Sequence, residues 1–215
     1  MPNQSRAKEF WEKKILGWEA SRYSPWLSLY PLSWTIRSRL KNASNAIRSR
    51  LAMNAEVVEL ACGSGYLAST LVGHVGAYRG FDIAANAIEV ARKRVKAIGF
   101  TFEPRDVFDS ALPASDLTVF LGLTDWLDDR QLEALFPRLQ SPHVLFSYTS
   151  AARLNPYRFY RLLMDRPVSA DIYRARTFSE NEIRALLDRH GFEFDLISPP
   201  STFNPGALVW AKRKT

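Results

Sequence analysis

The sequence predicts an α/β fold: a doubly wound sheet behind an N-terminal helical cap. Three observations carry this expectation. Val57 to Leu60 is a short apolar run, Ala61-Cys62-Gly63-Ser64-Gly65 is a glycine-bearing turn, and a helical pattern begins at Tyr66. That is how a parallel sheet presents a loop to a nucleotide-like ligand. The 215 residues, 47% hydrophobic, suit one domain of ordinary size plus an appendage. Residues 1–54 differ from the rest in charge and pattern, so they are read as the cap, with the sheet domain over 55–215.

In chain order, Phe10 to Glu19 reads as a first helix, its aromatic and aliphatic positions interleaved with Lys and Glu. Pro25 and Pro31 interrupt the next stretch, which is crowded with Tyr23, Trp26, Tyr30 and Trp34. A second helix follows, because Leu32, Ile36, Leu40, Ala43, Ile47 and Leu51 recur at steps of three and four. Its other face carries Arg37, Arg39, Lys41, Arg48 and Arg50, with no acid among them. Residues 1–54 hold ten Lys or Arg against three Glu, whereas the body is balanced, so the cap accounts for the whole formal charge of +7. Such an excess acts on partners or substrates rather than on the fold. Three readings fit it: a lid with a solvated basic face, a lid that also selects an anionic or amphiphilic acceptor, or a helix lying on a membrane surface. Nucleic acid is a weaker fourth option, since no RNA-binding module is visible.

No apolar run approaches the ~20 residues of a membrane-spanning helix, and no apolar segment follows the first residues as in a secretory signal. A single cysteine excludes an internal disulfide and a multi-cysteine metal site. A cytoplasmic protein, with peripheral membrane contact left open, is the expectation.

The glycine turn lacks the Lys-Ser or Lys-Thr pair of a phosphate loop, and Ala61 and Tyr66 stand where a dinucleotide fingerprint has further glycines. Instead Glu59 precedes the turn, and an acid there suits a cationic group. This acid-then-glycine pattern resembles motif I of the class I S-adenosylmethionine (SAM) methyltransferases. The likeness continues in order. Tyr78 to Ile83 resembles the second strand with Asp82 as its terminal acid, Ala84 to Ala97 the helix after it, and Phe102 to Val107 the third strand with Asp106 at its end. Asp116 to Gly122 resembles the fourth strand and His143 to Tyr148 the fifth. A helix opening at Ser179 and ending at His190-Gly191 leads to the sixth, and Ala207 to Lys212 resembles the seventh. The resemblance implies a Rossmann-like, seven-stranded sheet with an antiparallel seventh strand.

It also implies the site residues. Glu59, Ala61, Cys62, Gly63 and Gly65 would surround the methionyl part of SAM, with Tyr23 contributed by the cap. Asp82 would accept from the ribose hydroxyls, although an N-cap for the helix at Ala84 is a second use for it. On this reading an Asp82→Ala change costs cofactor affinity and leaves the fold intact. Asp106 would accept from the adenine amino group, or serve as a turn acid, and Ile83 and Val107 would sandwich the ring. Cys62 has no nearby His or Lys to lower its pKa, so its role is to be small.

Methyl transfer is an in-line displacement in which alignment and desolvation do much of the work. The family places acceptor-side residues after the fourth and fifth strands, which makes Asp125 the first candidate base and Tyr148 the second. A helix cap or surface acid is the competing reading of Asp125. The family's histidine near that place is missing. His74, His143 and His190 read as structural. The insert from Ala151 to Arg176 holds Arg153, Tyr157, Arg158, Tyr160, Arg161, Arg166, Tyr173, Arg174 and Arg176, any of which could clamp an anion or face solvent. Neither an Asn-Pro-Pro-Tyr signature nor a metal-ligand cluster is visible, which points to a small-molecule acceptor. The function expected is therefore SAM-dependent methyl transfer to oxygen or nitrogen of a small or lipid-linked acceptor, with S-adenosylhomocysteine (SAH) as product. RNA or protein methylation, or a SAM-binding partner subunit without catalysis, are the alternatives. The oligomeric state is left open.

Overall fold

The computed structural model describes residues 4–23, 31–151, 175–201 and 204–215. Pro25, Trp26, Tyr30 and the insert positions from Arg153 to Arg174 lie outside them. The elements in order are α1 (Gln4–Tyr23), α2 (Pro31–Arg50), β1 (Glu56–Leu60), α3 (Tyr66–Leu71), β2 (Ala77–Asp82), α4 (Ala85–Arg94), β3 (Phe100–Pro104), β4 (Leu117–Phe120), α5 (Asp129–Leu135), β5 (His143–Thr149), α6 (Glu180–Arg189), β6 (Phe192–Ser198) and β7 (Gly206–Arg213). Among the described residues no helix is long and apolar enough to cross a membrane.

The strands form one seven-stranded sheet in the order β3-β2-β1-β4-β5-β7-β6, parallel except for β7, which runs antiparallel to both neighbours. This is the doubly wound, Rossmann-like arrangement that the sequence predicts. Strand order reverses between β1 and β4, and the crevice beyond the carboxyl ends of those strands is where open α/β sheets take ligands. β3 sits two residues earlier than expected and stops at Pro104, which has no N–H to continue a ladder.

The pleat sends alternate side chains to opposite faces. On one face Val58, Leu60, Phe120, Phe146 and Tyr148 pack with α5 and α6. On the other, Val57, Leu145, Leu208 and Trp210 pack with Ala43 and Ile47 of α2 and with α3 and α4. The cap therefore covers a sheet face that helices must cover in a parallel sheet. α1 lies across the crevice. Trp11 meets Trp126 edge-on at 4.9 Å, and Asn86 of α4 donates to the Glu12 carbonyl at 2.6 Å.

Three outward-facing cations of α2 are not the plain solvated face that the periodicity suggests. Arg48 donates to the Thr70 carbonyl, Arg50 pairs with Asp195 at 2.6 Å, and Arg39 reaches Ser147. Long flexible side chains near a helix flank can bend toward the body, which a helical wheel does not register. α6 opens as read: Ser179 and Glu182 cap each other's backbone amides.

Candidate active site

The glycine turn is built from left-handed backbone. Ala61 (φ 56°), Gly63 (φ 52°) and Gly65 (φ 75°) all have positive φ, a region that favours glycine and explains why nothing larger than alanine stands at these three positions. Gly65 caps α3 without any side-chain bond, and the amides of the turn are held by the Phe81 carbonyl, Asp82, Glu19 and the Cys62 carbonyl in turn.

Asp82 pins that turn. Its Oδ2 accepts from Gly63 N at 2.8 Å and its Oδ1 from Ala84 N at 2.9 Å. One carboxylate thus fastens the turn after β1 to the start of α4. Burial raises its pKa against those amide bonds, which lower it. The lone pairs left over are those available to a ligand hydroxyl. Glu59 lies on the cap face of β1, 3% exposed, and accepts from the Tyr78 hydroxyl. Burial pushes its pKa up to about 8, so it is largely protonated at neutral pH.

A third acid, Glu19 of α1, was not anticipated. It is 7% exposed and its Oε1 accepts from Ser64 N at 3.1 Å. Its Oε2 is buried with no hydrogen-bond partner among the described residues, and burial raises its pKa. Any Cβ on Gly63 would run into Glu19 Oε1, so Glu19 sits directly over the turn. The sequence signal was an acid on an apolar stripe, four residues after Ile15.

These groups enclose a cavity of about 70 Å³ between α1, α2 and the turn, lined by Trp18, Glu19, Tyr23, Arg39, Glu59 and Cys62 among others. A ligand lying along the turn must displace Glu19 or partner it. Tyr23 packs against Tyr66 with tilted rings, centroids 4.0 Å apart, and burial pushes its hydroxyl pKa up to about 12. Arg94 lies 3.5 Å over the Tyr66 ring and donates to Ser64 Oγ at 2.9 Å. Cys62 is buried and its thiol pKa is pushed well up, so it contributes bulk and no nucleophile. Asp106, two residues past β3, is half-buried, its pKa raised by burial, and its Oδ1 accepts from Phe108 N at 2.9 Å. Val107 is buried in the apolar core, and Ile83 is partly exposed.

The two candidate bases are engaged elsewhere. Asp125 accepts from Thr149 N at 2.8 Å and Thr149 Oγ1 at 2.7 Å, while its carbonyl takes Arg176 N at 2.7 Å. It braces the loop after β4 against the end of β5. Tyr148 points into the opposite face of the sheet from the cap, near Glu180 and Arg184 of α6. Its hydroxyl is buried without a hydrogen-bond partner among the described residues, and its pKa rises to about 12. Neither side chain lines the cavity; Ser147, one position earlier, faces the cap instead. Tyr148→Phe is expected to leave SAM affinity unchanged and stability equal or higher by up to about 1–2 kcal/mol, because a buried unpaired hydroxyl costs free energy. Thermal melting checks this, and a clear fall in melting temperature would count against it.

A family model described as a methyltransferase domain matches residues 57–141. No curated protein matches the chain. Among solved structures, magnesium protoporphyrin IX methyltransferase (ChlM) from Synechocystis PCC 6803 with bound SAH is 17% identical, covers 99% of this chain and 100% of its own, and superposes with a TM-score of 0.77. The DhpI–SAH complex is 16% identical over 96% of this chain and 95% of its own, with a TM-score of 0.70. A SAM-dependent methyltransferase from Methanosarcina mazei is 19% identical over 79% and 97%, with a TM-score of 0.62.

Proposed function

We propose that this chain, a member of the class I SAM-dependent methyltransferase family, moves a methyl group from SAM to an oxygen or nitrogen of a small-molecule acceptor held beneath its N-terminal helices. The observation that carries this reading is the turn pinned by Asp82 with two further buried acids facing it. Among the described residues neither Glu19 nor Glu59 has a cation at ion-pair distance, and one Glu19 oxygen has no partner at all. Buried carboxyls of this kind are matched by a cationic ligand.

When bound, SAM supplies a methyl group already activated by a sulfonium. Glu59 and Glu19 would face its ammonium and sulfonium charges, Asp82 its ribose hydroxyls and Asp106 its adenine. α1 covers the crevice with Trp18 and Trp11, which excludes water and strengthens those charge interactions. The cationic cap favours an anionic or amphiphilic acceptor, free in solution or drawn from a membrane surface.

The pH dependence tests this. Glu59 keeps its proton to about pH 8 in the folded protein, against 4.5 for the ordinary side chain. A raised pKa stabilises the empty fold fully below pH 4.5 and that contribution is lost as pH rises toward 8. A cationic ligand favours the ionised acid, so SAM affinity should climb between pH 6 and 8, by at most about tenfold per unit. Calorimetry across that range should show the climb, and Glu59→Gln should flatten it. A wild-type protein that binds no SAM at pH 8, or transfers no label from methyl-labelled SAM to any component of an extract of its source cells, would refute the proposal.

A further inference from the structure

The amino edge of the sheet, at the opposite end of the strands from the crevice, carries a surface that methyl transfer does not use. Three loops lead into neighbouring strands there: α2 into β1, α3 into β2 and α4 into β3. They pack directly on one another. A Cβ on Gly76 would lie 2.7 Å from the Asn54 carbonyl oxygen, and one on Gly99 would lie 2.8 Å from that of Gly76. Gly76 N donates to the Ala55 carbonyl and Tyr78 N to the Gly99 carbonyl, each at 2.9 Å. The loops are therefore held side by side, their roots about 5 Å apart across the strands.

Each loop turns a large apolar side chain outward. Met53 is 73% exposed, Val72 46% and Ile98 100%. Among the described residues the other exposed large hydrophobic is Trp34, in the first turn of α2, at the far end of that helix. Single exposed hydrophobes need no explanation, but three gathered on adjoining loops inside a polar rim mark a contact surface. The rim is cationic. Residues 41–55, 66–81 and 90–102 make up these loops and the chain on either side of them, and they hold eight Lys or Arg with no Asp or Glu. Arg48, Lys93 and Lys96 are exposed and make no ion pair among the described residues; Arg48 donates to the Thr70 carbonyl. Glu56, which follows the first loop, is paired with Arg79 at 2.7 Å. Cations in the last turns of α2 and α4 also complement those helix ends. Lys96, however, stands past α4 in the loop itself, two residues before Ile98.

Shape and chemistry select the occupant. A fully projecting aliphatic side chain needs a fitted socket in a folded partner. A lipid surface accepts it anywhere, and anionic headgroups match the cationic rim. Nucleic acid fits less well, because bases stack on aromatic rings and the three tips are aliphatic.

We propose that this edge docks the chain on an anionic lipid surface. Met53, Val72 and Ile98 enter the boundary between headgroups and acyl chains, while Arg48, Lys93 and Lys96 meet the headgroups. The crevice lies at the carboxyl ends of the same parallel strands, so it faces away from the lipid and takes its acceptor from the aqueous side.

The test is flotation of the full chain with vesicles of phosphatidylcholine alone and of equimolar phosphatidylcholine and phosphatidylserine. The chain should float with the mixed vesicles, not with the neutral ones, and less at high salt. Met53→Ser with Ile98→Ser should weaken binding at least about tenfold. Lys93→Gln with Lys96→Gln should weaken it about 10- to 30-fold, the loss of two headgroup contacts. These side chains are exposed and distant from the crevice, so melting temperature and SAM affinity should match wild type in both pairs. Trp34→Ser should float as wild type does. No flotation with the mixed vesicles, equal flotation with the neutral ones, or a serine pair within threefold of wild type would overturn the proposal. So would flotation lost in Trp34→Ser alone, which would move the contact to the cap. A dimer in light scattering that the serine pair abolishes, without flotation, would overturn it in favour of a second copy of the chain. None of these measurements depends on methyl transfer, so their failure leaves the methyltransferase reading intact.

Discussion

Gly63→Val is expected to abolish SAM binding, lowering affinity by at least about 100-fold. Three effects act together. The residue sits at φ 52°, where a β-branched side chain is strained by more than about 1–2 kcal/mol. Its Cβ would run into Glu19 Oε1, which would have to swing away and give up its bond to Ser64 N. The added side chain would also stand where a ligand approaches the turn. About 2.7 kcal/mol corresponds to 100-fold, the share expected from excluding the ligand, while the backbone strain lowers stability. Calorimetry with SAM measures the affinity, and thermal melting separates it from unfolding. Gly65→Ala is a graded comparison, since its Cβ would lie 3.1 Å from the Ala91 Cβ at φ 75°. If Gly63→Val binds SAM within threefold of wild type, this turn is not the cofactor loop.

Asp82→Ala is expected to cost both binding and stability. Read from the sequence alone, the end of a strand tolerates the change. The structure revises that expectation, because both carboxylate oxygens already hold buried amides of two different loops. Leaving Gly63 N and Ala84 N unpaired costs about 1–3 kcal/mol each. A total near 2–6 kcal/mol is expected in chemical denaturation, a large share of a typical domain's stability. SAM affinity should fall further still, because the turn loses its anchor and the ribose its acceptor. Asp82→Asn keeps a carbonyl oxygen for one of the amides and should recover part of the stability. Unchanged stability in Asp82→Ala would mean that water replaces the carboxylate.

The sheet was legible in the chain because its signals are local. An apolar run, a turn with three left-handed residues and a helix at Tyr66 fix β1, the turn and α3 within sixteen residues, 56–71, and β4, β5 and β7 are centred on short apolar runs. The capping box at Ser179 is legible for the same reason. Which residues face the crevice was decided only by tertiary structure. Ser147 and Tyr148 are neighbours in sequence, yet the pleat puts one under the cap and the other in the opposite core, and that parity depends on which layer packs where. Asp125, a candidate base or a cap in the sequence, accepts at both oxygens from Thr149, 24 residues away. Glu19 and Arg39 belong to helices whose periodicity is read within each helix, whereas their partners at Ser64 and Ser147 lie 45 and 108 residues further on. Local pattern sets which elements form. The direction of a charged side chain is set by the dielectric and the partners that distant elements bring to it, and no window of sequence contains them.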